Sequence, residues 1–469
     1  MNRRPAHSSV DEYYWDTLDN AAKLVPAVSD TRGSNVFRVS AVLCEDVDPV
    51  LLQEALERAL AVFPAFAVRL RRGLFWYYLD ANRETPKVRE ESDYPCLPIG
   101  SSRDRGFLFR VTYYRNRINL EIFHALSDGM GAAQFLHVLV CYYFNLRDGA
   151  AMPEECIREY LDRVARDFDE DSFGRIVGED KREEGRSAAD SKAPDQKAPK
   201  EPEAFQFGGY SYDGARLGVV TLLLPADRLL SLAHELGCTM SEYLASLLIW
   251  SIYGTAYRRS AGRDKPIVIS LPVNLRGMFD STTMRNFFGH VNIAVTPKPA
   301  DTLENIAAEV KKSFSDCLNR EYFERQIAGN VAIERITPVR FVPVWIKDLV
   351  MRMIFSKAEK NYSITMSNLG RLKLPDAIAD RVERMEMLLG GSRTHPKKVS
   401  LCSYGNTLAI SFSSTIDNNS LERFFAKFLS EHGVEITLVS NDTEPPAKPV
   451  KIKKKRKGET SCDTVGTAE

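Results

Sequence analysis

The sequence predicts an α/β fold of two related lobes, and three observations carry this prediction. At 469 residues the chain is too long for a single compact core, so two globular units are expected. Strand and helix patterns alternate in both halves, and each half opens with a strand followed by a helix. Between the halves, residues 178–203 lack large apolar side chains and include three prolines, so this stretch cannot bury enough surface to order itself.

The composition change divides the chain into four parts. We predict an N-terminal lobe over 1–177, a disordered linker or insertion over 178–205, a C-terminal lobe over 206–440 and a disordered basic tail over 441–469. Residues 451–457 are nearly all basic. A solvated end is the simpler interpretation of this tail, and contact with an anionic surface or a nucleic acid is the alternative.

Composition and charge narrow the class of protein. The hydrophobic fraction is 44%, the charged fraction is 27% and the net charge is +0, which is typical of a globular protein without a chain-wide field. We therefore expect no nucleic-acid partner. The two most apolar helical runs, 131–146 and 240–257, are interrupted by polar residues and fall short of the ~20 apolar residues that a bilayer requires. With no secretory signal pattern and no CxxC pair among eight cysteines, we predict a cytoplasmic protein without a transmembrane segment.

Local patterns place the individual elements. In the first half, strands are predicted at 35–43, 67–70, 74–79, 108–114 and 117–123, with a helix that Asp48 caps and Pro49 begins. In the second half, Thr239 and Glu242 are spaced as a capping box at the start of a buried helix. The remaining predictions there are strands at 217–224, 266–272, 362–366 and 408–414 and helices at 226–236, 304–318, 342–355 and 421–429.

The chemistry is expected at the junction that follows the strand 117–123. The strand ends at His124, and Asp128 stands just before a helix predicted over 130–144. A lone histidine beside an apolar strand is more often structural, but an acid four residues later leaves two functional interpretations open. The pair could bind a metal, or the histidine could be a base whose loop is shaped by the acid. A metal site needs a third ligand and this segment offers none, so we predict no metal.

The string from His124 to Gly129 matches the pattern HxxxDG. On this motif the chain resembles the superfamily of condensation domains and chloramphenicol-acetyltransferase-like acyltransferases, and within it the alcohol acetyltransferase, wax ester synthase and polyketide-associated acyltransferase branches. Two further segments, PVNLRG at 272–277 and SNLG at 367–370, are similar to the strand motifs of the second lobe in that superfamily. The resemblance covers residues 10–435 apart from the linker.

The chain departs from the superfamily pattern in two places. Many members have a second histidine directly before the first, and Phe123 occupies that position here. Some members also carry a DFGWG-like loop late in the chain, which this sequence lacks. These differences argue against a peptide-synthetase condensation domain or a plant-type member and favour a free-standing acyltransferase.

For the fold, the resemblance implies two chloramphenicol-acetyltransferase-like lobes, each a mixed sheet with packed helices, and an active-site tunnel between them. For the site, it implies that His124 is the general base and that Asp128 forms an ion pair with Arg276. We also expect the backbone N–H of Gly129, at the positive end of its helix, to be a donor to the oxyanion. Backbone or side-chain donors to an oxyanion, or residues of the channel, are expected at Ser367, Asn368 and Asn274, with Asn286, Gly289 and His290 as weaker channel candidates.

For the reaction, the resemblance implies an acyl-CoA-dependent O-acyltransferase that acts on groups other than aminoacyl groups. Acyl-CoA would be a co-substrate and no cofactor would be bound tightly. The acceptor would be an alcohol or an amine, and the thioester could be carried by CoA or by a carrier protein. Basic residues that could meet CoA phosphates are present but are not assigned: Arg258, Arg259, Arg263, Lys265 and Arg285. The alternative is an inactive relative that binds a carrier protein or a metabolite, and the oligomeric state stays open.

Overall fold

The computed structural model describes residues 15–31, 33–149, 173, 176, 202–260, 264–334 and 341–441. Most of the predicted linker and nearly all of the predicted basic tail lie outside the described residues, as does Arg263. Among the described residues, no helix is both long and apolar enough to cross a membrane.

The elements of the first half follow the sequence pattern closely. Asp48 accepts backbone hydrogen bonds from Val50 and Leu51 at the start of the second helix, as the N-cap pattern predicts. The elements are β1 (Trp15–Thr17), α1 (Leu24–Val28), β2 (Val36–Leu43), α2 (Pro49–Val62), β3 (Val68–Arg72), β4 (Tyr77–Ala81), β5 (Arg89–Glu90), β6 (Phe109–Tyr114), β7 (Arg117–Phe123) and α3 (Gly129–Asp148).

The second half contains more elements than the sequence pattern predicts. The capping box of Thr239 and Glu242 is present at the start of its helix. The elements are β8 (Gly218–Pro225), α4 (Ala226–Glu235), α5 (Met240–Thr255), β9 (Ile267–Asn274), α6 (Arg276–Phe279), β10 (Phe288–Val295), α7 (Leu303–Cys317), α8 (Arg320–Glu334), α9 (Val344–Ala358), β11 (Ile364–Leu372), α10 (Asp376–Ala379), β12 (Val382–Leu389), β13 (Lys397–Tyr404), β14 (Thr407–Ser414), α11 (Ser420–Glu431) and β15 (Thr437–Ser440).

The first lobe is built on a five-stranded sheet with the order β12-β2-β7-β6-β5. Strand β2 pairs antiparallel with β7, which places Phe37 opposite Ile122. Its other edge pairs antiparallel with β12, where Val39 lies opposite Met387. Strand β12 therefore comes from the second half of the chain and completes the sheet and core of the first lobe.

The second lobe is built on a seven-stranded mixed sheet with the order β10-β9-β11-β13-β14-β8-β15. Strand β11 runs parallel to both of its neighbours, and the other pairs are antiparallel. Along β13 the side chains alternate between two cores. Val399 and Leu401 pack into the second core, whereas Cys402 and Tyr404 pack into the first. One face of this sheet thus lies against the first lobe.

The predicted α/β class with two mixed sheets is confirmed, one local prediction is wrong and one predicted strand is longer than expected. Residues Leu74 to Trp76 form the turn between β3 and β4 rather than a strand, because Gly73 N–H closes that turn on Trp76 O (2.8 Å). The strand predicted over 362–366 continues to Leu372. The SNLG segment remains paired in the sheet. A β-bulge with Gly370 at φ 76° shifts the pairing register of β11 with β13 between Asn368 and Arg371.

Candidate active site

His124 lies where the two lobes meet. Its backbone N–H donates to Asn35 O (2.9 Å), which fixes the residue at the end of β7. The imidazole ring packs between Phe37 of the first lobe (ring centroids 5.0 Å apart) and Phe288 of the second (5.4 Å). The residue is partly buried, and its ring lies between the two lobes rather than in the centre of either core.

Asn286 selects the tautomer of His124. Its amide nitrogen faces two acceptors, His124 O (3.0 Å) and Asp19 Oδ2 (3.0 Å), and therefore acts as the donor. The amide oxygen is left to face His124 Nδ1 at 2.8 Å. An oxygen there can only accept, so Nδ1 carries the hydrogen and Nε2 keeps the lone pair. The geometry leaves Nε2 as the nitrogen that can take a proton.

The surroundings favour the neutral form of His124. Burial is the largest influence and lowers its pKa below the usual value of 6.5, although the negative charge of Asp128 and the hydrogen bond that Nδ1–H donates to Asn286 act in the opposite direction. The positive charge of Lys398 lowers the pKa further. At neutral pH the imidazole is therefore uncharged and able to act as a base.

Asp128 holds three elements together and does not face outward. Its Oδ1 accepts the backbone N–H groups of Met130 and Gly131 (both 3.1 Å) and so caps α3. Its Oδ2 accepts the backbone N–H of Phe287 at 3.0 Å. Both oxygens also bond the guanidinium of Arg276, at 2.8 and 3.0 Å. Both carboxylate oxygens are therefore occupied by hydrogen bonds that join α3 of the first lobe to the second lobe.

Arg276 uses all five of its N–H donors. Two go to Asp128, while Nε donates to Thr283 O (2.7 Å) and Nη2 also donates to Arg285 O (2.7 Å). The fifth goes to Asn274 Oδ1 at 3.2 Å. Asn274 therefore orients the arginine. The side-chain oxygen of Asn274 is occupied by this contact and is not available to a ligand. The guanidinium in turn fixes the loop between α6 and β10 that carries Asn286.

Two glycines at the start of α3 allow the second lobe to approach closely. A Cβ on Gly131 would overlap Ser127 Oγ and lie 2.6 Å from Met284 O, so no side chain fits there. A Cβ on Gly129 would meet only the ends of the Leu369 and Met387 side chains, at 3.2 and 3.5 Å. Within the described residues, no acceptor bonds the backbone N–H of Gly129, which points from the positive end of the helix.

The SNLG segment of β11 lies across from this helix start, and its two polar residues differ in position. Ser367 shares strand parity with Leu369, the residue that faces Gly129, so Ser367 is on the face turned toward the first lobe. Asn368 has the opposite parity. Its amide donates to Ser241 Oγ (3.0 Å) and its oxygen accepts Gly370 N–H (2.8 Å), so it stabilises the bulge.

Strand β10 of the second lobe lies beside His124 through Phe288. Phe288 and His290 alternate with the buried Gly289, where a Cβ would lie 2.5 Å from the Phe323 ring. Gly289 therefore faces the core of the second lobe. The side chain of His290 is exposed, on the side of the strand opposite to that core.

Lys398 is a site residue that the sequence did not reveal. It lies opposite Thr365 in the pairing of β13 with β11, on the face that Cys402 carries into the first core. Burial lowers the pKa of its ammonium group, and within the described residues no acceptor bonds that group. No local pattern distinguishes this lysine, because its nearness to His124 arises only when the two lobes meet.

Three of the basic residues considered for CoA phosphates already have partners within the protein. Arg285 bonds Asp16 and Thr17 O, and Lys265 pairs with Glu203 at 2.7 Å. Arg258 lies over the ring of Tyr253, 4.8 Å from its centroid. A phosphate site is therefore not assigned to them. The part of the chain that the structure describes also contains no group of three His, Cys, Asp or Glu side chains that could hold a metal ion.

These features define a class of fold: two mixed α/β lobes with an HxxxDG histidine between them. Solved structures share this fold, and the predicted resemblance to condensation domains and chloramphenicol-acetyltransferase-like acyltransferases is confirmed as a likeness of fold. No protein-family model and no curated protein matches the sequence.

Three solved structures illustrate the likeness. TRI101 of F. graminearum, complexed with coenzyme A and T-2 mycotoxin, gives a TM-score of 0.58 at 12% identity over 90% of this chain and 99% of that one. The TRI3 trichothecene 15-O-acetyltransferase of Fusarium sporotrichioides gives 0.57 at 10% identity over 91% and 96%. The first condensation domain of the calcium-dependent antibiotic synthetase, with a substrate analogue, gives 0.55 at 15% identity over 89% and 96%.

Proposed function

We propose that this protein is an acyl-CoA-dependent O-acyltransferase in which His124 is the general base. The observation that carries the proposal is the state of the imidazole. Its pKa is lowered, its Nδ1–H is held by Asn286, and its Nε2 has no hydrogen-bond partner among the described residues, at the place where the two lobes of a fold shared with acyltransferases meet. A neutral base at the point where two substrates could meet is what acyl transfer to a hydroxyl requires.

The reaction follows from this geometry. Nε2 takes the proton of the acceptor hydroxyl as the hydroxyl oxygen forms a bond to the thioester carbon. The tetrahedral intermediate then collapses, the carbon–sulfur bond breaks, and the departing thiolate receives the proton from the imidazolium. Base catalysis of this kind is typically worth ~10²–10⁴-fold in rate. Asn286 would stabilise the imidazolium because its amide oxygen continues to accept from Nδ1–H.

The oxyanion of the intermediate needs donors close to His124. The free backbone N–H of Gly129 is the first candidate, and a donor of this kind is typically worth ~10²–10³-fold in rate. Ser367 is the second, because it lies on the strand face turned toward the first lobe. Asn368 is a weaker candidate because its amide already bonds Ser241. Asp128 and Arg276 would act as positioning residues that hold this loop and helix start in place.

The acyl donor and the domain division are further parts of the proposal. TRI101, which has this fold, was solved with coenzyme A, and this supports a CoA thioester as the co-substrate here. The acceptor would be an alcohol, or an amine in its neutral form, that reaches Nε2 from the side opposite to the acyl donor. The N-terminal lobe (1–177) and the C-terminal lobe (206–440) would each supply one wall of the path between donor and acceptor.

The test is a panel of donors and acceptors scored by release of free CoA thiol. Acetyl-CoA and octanoyl-CoA would each be combined with short, long and aromatic alcohols and with primary amines. We expect thiol release that depends on an acceptor and that His124→Ala lowers by ~10²-fold or more. His234→Ala, which changes an exposed histidine of α4, is the matched control and should keep wild-type turnover. Wild-type turnover by His124→Ala would overturn the assignment of the base.

The same panel separates the enzyme from the non-catalytic alternative. If the chain binds CoA in a thermal-shift assay but releases no thiol with any pair, the inactive binding protein is the correct interpretation. If thiol is released at the same rate without an acceptor, the protein is a thioester hydrolase, because water then replaces the acceptor hydroxyl.

A further inference from the structure

A surface on one side of the molecule exposes large apolar side chains that no described residue covers. It consists of α9, the residue Phe341 before it, and the turn between β3 and β4, and we refer to it as the apolar platform. Along α9 the exposed residues recur at a spacing of about four, which puts them on one side of the helix. Six side chains of the platform are more than half exposed: Leu74, Phe341, Trp345, Leu349, Met353 and Ile354.

Hydrogen bonds and a cation–π contact join the two segments of the apolar platform. Val344 N–H donates to Leu74 O and Lys347 Nζ donates to Phe75 O, both at 2.9 Å. The same ammonium group lies 3.2 Å from the centroid of the Trp76 ring. These contacts hold the turn against the first turn of α9, so the exposed side chains of both segments form one face.

The charges of this segment are sorted by sign. Between residues 341 and 360, the acidic side chains are Asp348 and Glu359, and both are buried. Asp348 accepts hydrogen bonds from Tyr77 and Arg72 on the β3–β4 hairpin. The basic side chains Arg352, Lys357 and Lys360 are exposed beside the apolar face, whereas Arg71 and Arg72 of the hairpin pair with Asp80 and Asp348. The platform is therefore apolar at its centre and positively charged at its rim.

We propose that the apolar platform docks this protein on the surface of an anionic lipid bilayer. An amphipathic helix with tryptophan and aliphatic side chains on one face and lysine or arginine beside them lies in the bilayer interface, where apolar burial and attraction to anionic headgroups add together. A second copy of the chain is a poorer occupant, because a two-fold contact through this face would bring two positively charged rims together. The proposal does not depend on the proposed catalytic activity.

The experiment is co-sedimentation of the full-length chain with vesicles of dioleoyl-phosphatidylcholine, with and without dioleoyl-phosphatidylglycerol. We expect binding to the anionic vesicles that exceeds binding to the neutral ones. The triple variant Trp345→Ser, Leu349→Ser, Met353→Ser should lose binding to both. The double variant Lys357→Gln, Lys360→Gln should lower the partition coefficient on anionic vesicles by about 25-fold, from about fivefold for each lysine.

Matched variants elsewhere on the surface serve as controls. Leu438→Ser changes an apolar side chain of β15 that is as exposed as Leu349, and Lys312→Gln with Lys427→Gln removes two exposed lysines from α7 and α11. Both controls should bind anionic vesicles as the wild type does. Circular dichroism and the thermal transition of each variant check that it is folded.

Three outcomes would overturn the proposal. One is a wild-type chain that stays in the supernatant with anionic vesicles. Another is a folded triple variant that binds them as strongly as the wild type. The third is a wild-type dimer in light scattering that the triple variant converts to a monomer, since a second copy would then cover the platform.

Discussion

The chemistry of His124 depends on groups that are distant from it in sequence. Asn286 and Asp19 fix the direction of the ring, and Lys398 contributes the neighbouring positive charge. A depressed pKa means that the neutral, active form of the base persists at lower pH than for a free histidine. We therefore expect kcat/KM to rise with pH through a pKa below 6.5 and to be level at pH 7 and above.

Replacing Lys398 should shift this pH profile. Lys398→Met keeps the length of the side chain and removes the positive charge that opposes protonation of His124. The pKa of the imidazole should rise, and the acid limb of the kcat/KM profile should move to higher pH. Lys360→Met, which changes an exposed lysine outside the candidate site, should leave the limb in place. An acid limb at the same pH in both variants would show that Lys398 does not act on the base.

The two glycines of the helix start should differ in their tolerance of a methyl group. Gly131→Ala forces its Cβ against Met284 O, a backbone atom of the loop that carries Asn286, so this loop must move. We expect a loss of activity of ~10²-fold or a failure to fold, because a displaced orienting group disturbs the reacting geometry. Gly129→Ala meets only flexible side-chain ends and should retain the wild-type fold and most activity. Equal turnover in the two variants would contradict the close approach.

At the scale of elements, the Asp128–Arg276 pair is the joint between α3 and the loop before β10. Both side chains are buried, so removing one partner leaves the other charge without compensation at a cost of ~3–5 kcal/mol. We expect Asp128→Asn and Arg276→Met each to lower the free energy of unfolding by this order. The double variant should lose less than the sum of the two. Denaturant unfolding of all four proteins measures the coupling, and additive losses would exclude it.

Arg276→Lys offers a second test of the same joint. Lysine cannot reproduce a planar fork with five donors, and three backbone or side-chain oxygens would lose their partner along with Asp128. The lysine variant should therefore be nearly as unstable as Arg276→Met, although it keeps the charge. Wild-type stability in Arg276→Lys would show that charge alone is sufficient.

The sequence predicts best those elements whose signal lies within a few neighbouring residues. Strand β7 appears with the predicted bounds because its alternation and its hairpin partner are adjacent in sequence. The capping box at Thr239 is also predicted correctly, because its two residues are only three positions apart. Strands β10, β12 and β13 are not predicted, and in β12 and β13 buried polar residues interrupt the alternation. In β13, for example, both Lys397 and Ser400 are buried, so apolar and polar residues do not separate onto two faces.

The residues of the candidate site also fall into those that a local motif predicts and those that depend on tertiary contacts. His124, Asp128 and Gly129 are predicted site residues because HxxxDG is a local string, and Arg276 is predicted from the resemblance. Asn286 was named only as a weak channel candidate, although it bonds His124 directly. Asp19 and Lys398 were missed entirely, since each reaches the imidazole or its partner only through the tertiary contact between lobes.

At the scale of the whole molecule, the two lobes are not independent along the chain. Strand β12 crosses from the second half and pairs along the length of β2. Its residues Val382, Met385 and Met387 belong to the core of the first lobe, which also contains Leu56 of α2 and Leu120 of β7. The first lobe thus takes part of its sheet and its core from residues that lie within the predicted C-terminal lobe.

This crossing predicts how the protein behaves when it is divided. A fragment of residues 1–200 lacks β12, so the edge of β2 and the apolar side chains beneath it would face water. We expect this fragment to aggregate when expressed alone, and to give a soluble complex when it is co-expressed with residues 201–469. The complex should show one cooperative thermal transition and the acyl transfer of the intact chain. A fragment 1–200 that is monomeric and folded by circular dichroism would mean that the first core forms without β12, and the lobes would then be separable units joined by an optional strand.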